Sequence, residues 1–107
     1  MKRGELVTIA LSGDYGKPRP ALVVQSDFFS QHPSVTVLPV TSELRSAPLF
    51  RIEINPTAEN NLKKLSQVMV DKIQTVPSEK VGPVFGRLDD TDLLAVNRAL
   101  ALWLGFA

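Results

Sequence analysis

The chain contains no cysteine. Disulfides, thiolate zinc sites and cysteine nucleophiles are excluded, and a reducing compartment fits. Its one histidine, His32, has no second histidine with which to share acid–base work or a metal ion. Long apolar runs are also absent: none approaches the roughly 20 residues that span a bilayer. The opening "MKRGELVTIALSGD" is basic and then apolar, but Glu5 and Thr8 interrupt it, leaving it too short and too polar for a signal peptide. Neither charge dominates, with 12 Lys and Arg against 11 Asp and Glu. Binding along a broad nucleic-acid backbone usually shows a basic excess, so any such site here must be local and short. No phosphate-cradling glycine loop, metal-ligand spacing, internal repeat or low-complexity segment occurs. The expectation is a cytoplasmic protein with no membrane contact and no resident metal or cofactor.

What is present is enough apolar side chain to fold. With 107 residues, 44% of them hydrophobic, one domain spanning 1–107 with a small core is expected. The first two-thirds read as short strands. "ELVTIAL" (5–11) and "ALVVQ" (21–25) flank the loop "SGDYGKP" (12–18). "SDFFSQHP" (26–33) holds one helical turn capped by Ser26 or Asp27. "SVTVLPVTSE" (34–43) is strand-like, with Pro39 predicting an edge or a bulge. "LFRIEIN" (49–55) alternates most cleanly, setting Phe50, Ile52 and Ile54 against Arg51, Glu53 and Asn55. "PTAENNLKK" (56–64) is a loop with turn chemistry at Asn60-Asn61. "SQVMVDKIQTV" (66–76) reads as one further strand, and "PSEKVG" (77–82) as a helical turn. "LDDTDLLAVNRALALWLGF" (88–106) is the one long helix, with carboxylates at its positive end and Gly105 as its stop. Its last turns are apolar nearly all round, which predicts burial on more than one side. About five antiparallel strands and a C-terminal helix give a mainly β (α+β) fold, a small half-open barrel.

Three stretches carry candidate chemistry. In Pro18-Arg19-Pro20, the second proline drives Arg19 into an extended conformation and the first has a fixed torsion of its own. An arginine so held offers a planar fork of donors matched to phosphate oxygens. The plainer reading is that the prolines open a strand and the arginine faces water. Thr41 and Ser42 end a strand with two adjacent hydroxyls, suited either to a phosphate oxygen or to capping their own backbone. Asp71, in an apolar strand beside Lys72, is either a general base or the partner of an arginine in a structural pair. His32, in a loop before Pro33, titrates usefully but stands alone.

Individually these signals are weak, but their order along the chain is specific. "KRGELVTIAL", a glycine-bearing loop, "RPALVVQSD", "VTVLPVTSEL", "LFRIEI", "SQVMVDKIQTV" and the final helix together closely resemble the MazF/PemK/Kid family of bacterial toxins over nearly the whole chain. The resemblance implies an SH3-like barrel with a helix, a symmetric homodimer, and a metal-independent endoribonuclease that cuts single-stranded mRNA at short sequences. It also implies a cognate antitoxin whose extended tail fills the RNA groove, and operator DNA contact only through the antitoxin complex. Carried onto this chain, Arg19 is the family's phosphate-binding arginine, Thr41 its strand-end threonine, and Asp71 the catalytic aspartate of the PemK/Kid branch. Lys17, Ser42, Lys72 and Gln74 are the expected RNA contacts. The PemK/Kid branch has an arginine two residues before its aspartate, where this chain has Met69, and the loop "SGDYGKP" is shorter than usual.

The implied reaction is attack by a ribose 2′-hydroxyl on its neighbouring phosphate. The products are a 2′,3′-cyclic phosphate and a 5′-hydroxyl. Arg19 would stabilise the phosphate charge, Thr41 would orient it, and Asp71 would take the proton. Two rivals stand beside this reading. CcdB toxins are similar in fold but poison DNA gyrase through the end of their helix, and "ALALWLGFA" is similar to their tryptophan–glycine ending. A non-catalytic barrel that only binds an antitoxin or operator is the other.

Overall fold

An eight-residue strand organises the molecule. In the computed structural model, which describes residues 1–10 and 17–107, the chain forms β1 (Glu5–Ile9), β2 (Arg19–Val23), β3 (Ser34–Thr41), β4 (Arg51–Ile54), β5 (Ser66–Met69), β6 (Gln74–Pro77), β7 (Val81–Arg87) and α1 (Asp90–Leu104). Most of the loop expected at 12–18, and the last residue of the strand expected at 5–11, lie outside the described residues. All pairings are antiparallel, in the order β4-β5-β3-β2-β1-β7, with β6 also on β3. The sheet does not close among the described residues.

β3 serves three neighbours. Ala21, Leu22 and Val23 of β2 pair with Pro39, Leu38 and Val37. On its other edge, Ser34–Val37 pair with β6 and Val40–Thr41 with β5. Pro39 therefore lies inside a central strand, not on an edge. Its missing N–H falls where the second ladder passes from β6 to β5, so no ladder bond is lost there. The single strand expected at 66–76 is broken at the same place. A 3₁₀ turn at Val70–Lys72 separates β5 from β6, because Val70 donates its N–H to the Phe50 carbonyl at 3.0 Å and Asp71 is drawn to Arg51 of β4.

Both faces of the central strands are covered. Leu6, Leu22, Leu38, Val40, Ile54 and Val68 point toward α1 and pack with Val96, Ala99 and Leu100. The alternate residues Val7, Ile9, Ala21, Val23, Val35 and Val37 form a second cluster with Val76. Two buried faces explain why these segments read as nearly continuous apolar runs. Truncating any one of the fully buried leucines to alanine is expected to cost about 2–5 kcal/mol.

The predicted turns and helix are present. Ser26 Oγ accepts the Phe28 N–H ahead of a 3₁₀ turn at Asp27–Phe29, and a third such turn covers Ser78–Lys80. Asp89 caps α1 by accepting the Asp92 N–H at 2.7 Å, and Gly105 ends it at φ 86°. Burial along the last turn differs from expectation: Leu102, Trp103 and Leu104 stay about half exposed within the single chain. Trp103 packs on Phe50, with ring centroids 5.8 Å apart. β7 was not expected as a strand at all. Gly82, Pro83 and Gly86 have poor strand propensity, but among the described residues β7 is an edge strand paired with β1, where proline is tolerated.

Candidate active site

β2 and β3 run side by side and open into a cleft of about 770 Å³. Its wall on the β2 side is Arg19 and Pro20, backed by Thr8 and Ile9 of β1, which pair with them in register. Its next wall is Pro39, Val40 and Thr41 of β3, continuing into Ser42 and Glu43. Met69, Lys72 and Gln74 close a third side, and Asn61 to Lys64 a fourth.

Arg19 is exposed at the first position of β2, directly opposite Ile9. Thr41 ends β3, and its Oγ1 accepts the Glu43 N–H at 3.0 Å. The backbone cap weighed from sequence is realised at Thr41, and the residue also lines the cleft. A hydroxyl that accepts a backbone N–H still has its own proton to donate outward. Ser42 is exposed beside it.

The turn after Thr41 is anchored from below. Gln67 of β5, 1% exposed, accepts the Arg45 N–H at 3.0 Å and donates to the Arg45 carbonyl at 2.8 Å. It thus satisfies both backbone groups of one loop residue, and it also pairs in register with Thr41. The opposite loop is tied by Asn60, 1% exposed. Its Oδ1 accepts the N–H groups of Thr57 and Leu62, and its Nδ2 donates to the Asn55 carbonyl. Asn61 sits at φ 55° and donates to the Phe85 carbonyl. Glycine is required at position 86, because a Cβ there would lie 2.4 Å from the Asn60 carbonyl oxygen. Neither Gln67 nor Asn60 was singled out as a site support from sequence. A buried amide within a strand was the available signal for Gln67.

Asp71, expected either as a general base or as an arginine's partner in a structural pair, is found in the second arrangement. It does not line the cleft. Arg51 Nε and Nη2 donate to its two oxygens at 2.8 and 3.0 Å, and both side chains are largely buried. Hydrogen bonding to the Arg51 guanidinium holds the Asp71 carboxyl below the ordinary carboxylate range, against the opposing effect of burial. The same bond raises Arg51. Arg51, set by strand alternation on one face with Glu53 and Asn55, is 6% exposed. It stands opposite Met69 in register. Where the PemK/Kid pattern has an arginine two residues before the aspartate, the neighbouring strand supplies one here.

Of the other expected contacts, Lys72 and Gln74 reach the cleft, whereas Lys17 is exposed just before β2 and is not among its lining residues. Lys63 and Lys64, not foreseen, are. Among the described residues, the charged side chains that line the cleft are therefore four cations, Arg19, Lys63, Lys64 and Lys72, and one carboxylate, Glu43. His32 is elsewhere, its Nδ1 accepting the Ser34 N–H at 3.0 Å. Among the described residues no group of three or more His, Cys, Asp and Glu is placed to hold a metal ion, and no helix is long and apolar enough to cross a membrane.

A family model for the PemK-like, MazF-like toxin of type II toxin-antitoxin systems matches residues 2–104. The chain belongs to this family. A curated member, the "Probable endoribonuclease MazF" of Mycolicibacterium smegmatis, is 45% identical across 100% of this chain and 99% of its own length. A second, "Endoribonuclease MazF" of Staphylococcus saprophyticus, is 26% identical across 98% of this chain and 92% of its own. Among solved structures, Mycobacterium tuberculosis toxin MazF-mt6 superposes with a TM-score of 0.80 at 25% identity, covering 94% of this chain and 96% of that one. A mycobacterial endoribonuclease solved with its cognate antitoxin reaches 0.84 at 22% identity, covering 100% and 97%; at that identity it bears on the fold. The seven-stranded sheet with one C-terminal helix is thus the MazF architecture.

Proposed function

We propose that this MazF-type toxin is an endoribonuclease that cuts single-stranded mRNA at short sequences, using the RNA's own 2′-hydroxyl as nucleophile. Endoribonuclease activity rests on the full-length likeness to a curated MazF. The observation that carries the chemistry is that Arg19 and Thr41, distant in sequence, line one cleft on adjacent strands.

The reaction places extra negative charge on a phosphate. Arg19 answers it with two charge-assisted donors from a backbone restrained by Pro18 and Pro20. Thr41, its oxygen already engaged by the Glu43 N–H, donates its proton to a non-bridging oxygen. Ser42, Lys72 and Gln74 hold the flanking nucleotides, and Lys17 meets the strand as it leaves the cleft. Because the nucleophile belongs to the substrate, no metal is required to activate a water. The products are a 2′,3′-cyclic phosphate and a free 5′-hydroxyl.

A cleft lined, among the described residues, by four cations and one carboxylate also suits the extended tail of an acidic antitoxin. The half-exposed Leu102, Trp103 and Leu104, with Phe106 at 82% exposure, offer the apolar surface a symmetric homodimer would cover. Operator DNA would be met only through the antitoxin complex, in the cytoplasm.

The deciding experiment identifies the chemical ends left on a model RNA. Wild-type protein should leave 2′,3′-cyclic phosphate and 5′-hydroxyl termini, Arg19→Ala should leave the RNA intact, and deoxyribose at the cut site should block cleavage. Cutting of an all-DNA strand overturns the reading. Toxicity that survives Arg19→Ala but not loss of residues 103–107 would support gyrase poisoning instead.

A further inference from the structure

We propose that Glu43 is the general base that takes the proton from the attacking 2′-hydroxyl, an inference that rests on the ribonuclease reading above. The reaction needs a base close to the phosphate site. Asp71 does not supply it, since both its oxygens are engaged by Arg51 away from the cleft. His32 lies outside the cleft as well. Among the described residues that line the cleft, Glu43 is the one carboxylate. The other charged side chains there are Arg19 from β2, Lys63 and Lys64 from the 55–65 loop, and Lys72 from the turn between β5 and β6.

Position supports the role. Glu43 follows Thr41 by two residues, and its own N–H is bonded to the Thr41 hydroxyl oxygen. The group that would orient the phosphate and the group that would deprotonate its neighbouring hydroxyl therefore belong to one turn. That turn is fixed two residues later by Gln67, whose buried amide satisfies both backbone groups of Arg45. A surface loop with no task has little need of a wholly buried clamp.

The step balances without any further reactant. The Glu43 carboxylate takes the 2′ proton as the 2′-oxygen forms its bond to phosphorus. The bond from phosphorus to the 5′-oxygen breaks, and the leaving oxygen takes a proton from water. Glu43 then returns its proton to solvent.

The test uses the full chain and a short RNA with one cleavable linkage, with rates measured at saturation across pH. Glu43→Gln is expected to lower kcat by about 100-fold or more, the usual scale for a positioned base, and to abolish the acidic limb of the pH–rate profile. Its affinity for the uncleavable 2′-deoxy oligonucleotide should stay within a few-fold of wild type. Glu43→Asp should retain the acidic limb at reduced kcat. A Glu43→Gln protein that keeps the limb, or turns over within a few-fold of wild type, overturns the assignment. If wild-type protein leaves cyclic phosphate ends while Glu43→Gln is unimpaired, Glu43 alone fails. If wild-type protein leaves no such ends, the ribonuclease reading fails with it.

Discussion

Arg51 on β4 meets Asp71 through two parallel hydrogen bonds, Nε to Oδ1 at 2.8 Å and Nη2 to Oδ2 at 3.0 Å. The pair ties β4 to the turn between β5 and β6. That turn is also where the Val70 N–H reaches the Phe50 carbonyl and where α1 packs on the sheet. A fork-to-fork pair so shielded is a structural tie. An acid–base catalyst needs an oxygen that can gain and lose a proton freely.

Removing one partner should therefore destabilise the fold more than it slows the chemistry. Asp71→Asn leaves the Arg51 charge buried without its counterion and is expected to cost about 3 kcal/mol, toward the low end for such pairs because Asp71 keeps some solvent contact. Activity per folded molecule should remain within a few-fold. Urea unfolding and single-turnover cleavage at low temperature measure the two effects separately.

The same pair sets a pH dependence. The folded Asp71 carboxyl lies below its unfolded value. Its stabilisation is fully present above the ordinary carboxylate range, near 4, and is lost as pH falls through the lower folded value, because the unfolded chain binds the proton first. The stability gap between wild type and Asp71→Asn should be constant at neutral pH and narrow below about pH 4. A gap that widened with acid would refute the assignment. Asp92 acts in the opposite sense. Burial, then repulsion from Asp89, raises its carboxyl, so Asp92→Asn should stabilise the protein at neutral pH and lose that advantage in acid.

Gly86→Ala tests the packing of β7 against the loop whose residues 61–64 line the cleft. The new methyl would collide with backbone atoms of Asn60, at 2.4 and 2.6 Å, where no flexible side chain can yield. Destabilisation of about 2–3 kcal/mol is expected from such overpacking, with hydrogen exchange accelerating first in residues 55–65. Gly105→Ala, which meets nothing within 4 Å but holds a positive φ, should cost about 1 kcal/mol.

Arg19→Lys keeps the charge and loses the fork. A compact ammonium cannot span two phosphate oxygens, so kcat is expected to fall at least 10-fold, against about 100- to 1,000-fold for Arg19→Ala. Equal kcat for the lysine variant and wild type would mean that charge alone suffices.

Gln67→Leu removes the clamp on Arg45 without touching the cleft. It leaves the part-buried N–H and C=O of Arg45 without their partner, at a cost below the roughly 1–3 kcal/mol of a fully buried group because Arg45 is solvent-exposed, and frees the turn that carries Thr41 and Glu43. The expected signature is a lower kcat with little change in KM, because the turn would still bind RNA but hold its groups in the reacting geometry less often. Unchanged kcat would assign Gln67 to stability only.

Much of the fold was legible because its signals are local. The strand-like runs at 5–11, 21–25 and 34–43, the carboxylates at the start of α1 and the stop at Gly105 each depend on neighbours a few residues away. The turn at Ser26 was legible for the same reason. β7 was not, since its glycines belong in a strand only because Asn60 and Thr8 press against them. The break at Val70–Lys72 was hidden as well, because it depends on Phe50 and Arg51, about twenty residues away in the chain.

Residue order alone determined the family, and with it Arg19 and Thr41 as the pair to examine: restraint by flanking prolines and hydroxyls at a strand end are written in adjacent positions. Only the tertiary structure decided that Glu43 lines the cleft and Asp71 does not. Asp71 and not Glu43 was the carboxylate singled out from sequence, and what separates them in the fold is that a guanidinium from another strand engages Asp71. That depends on the register between β4 and β5, a long-range pairing fixed by how the whole sheet folds over its core.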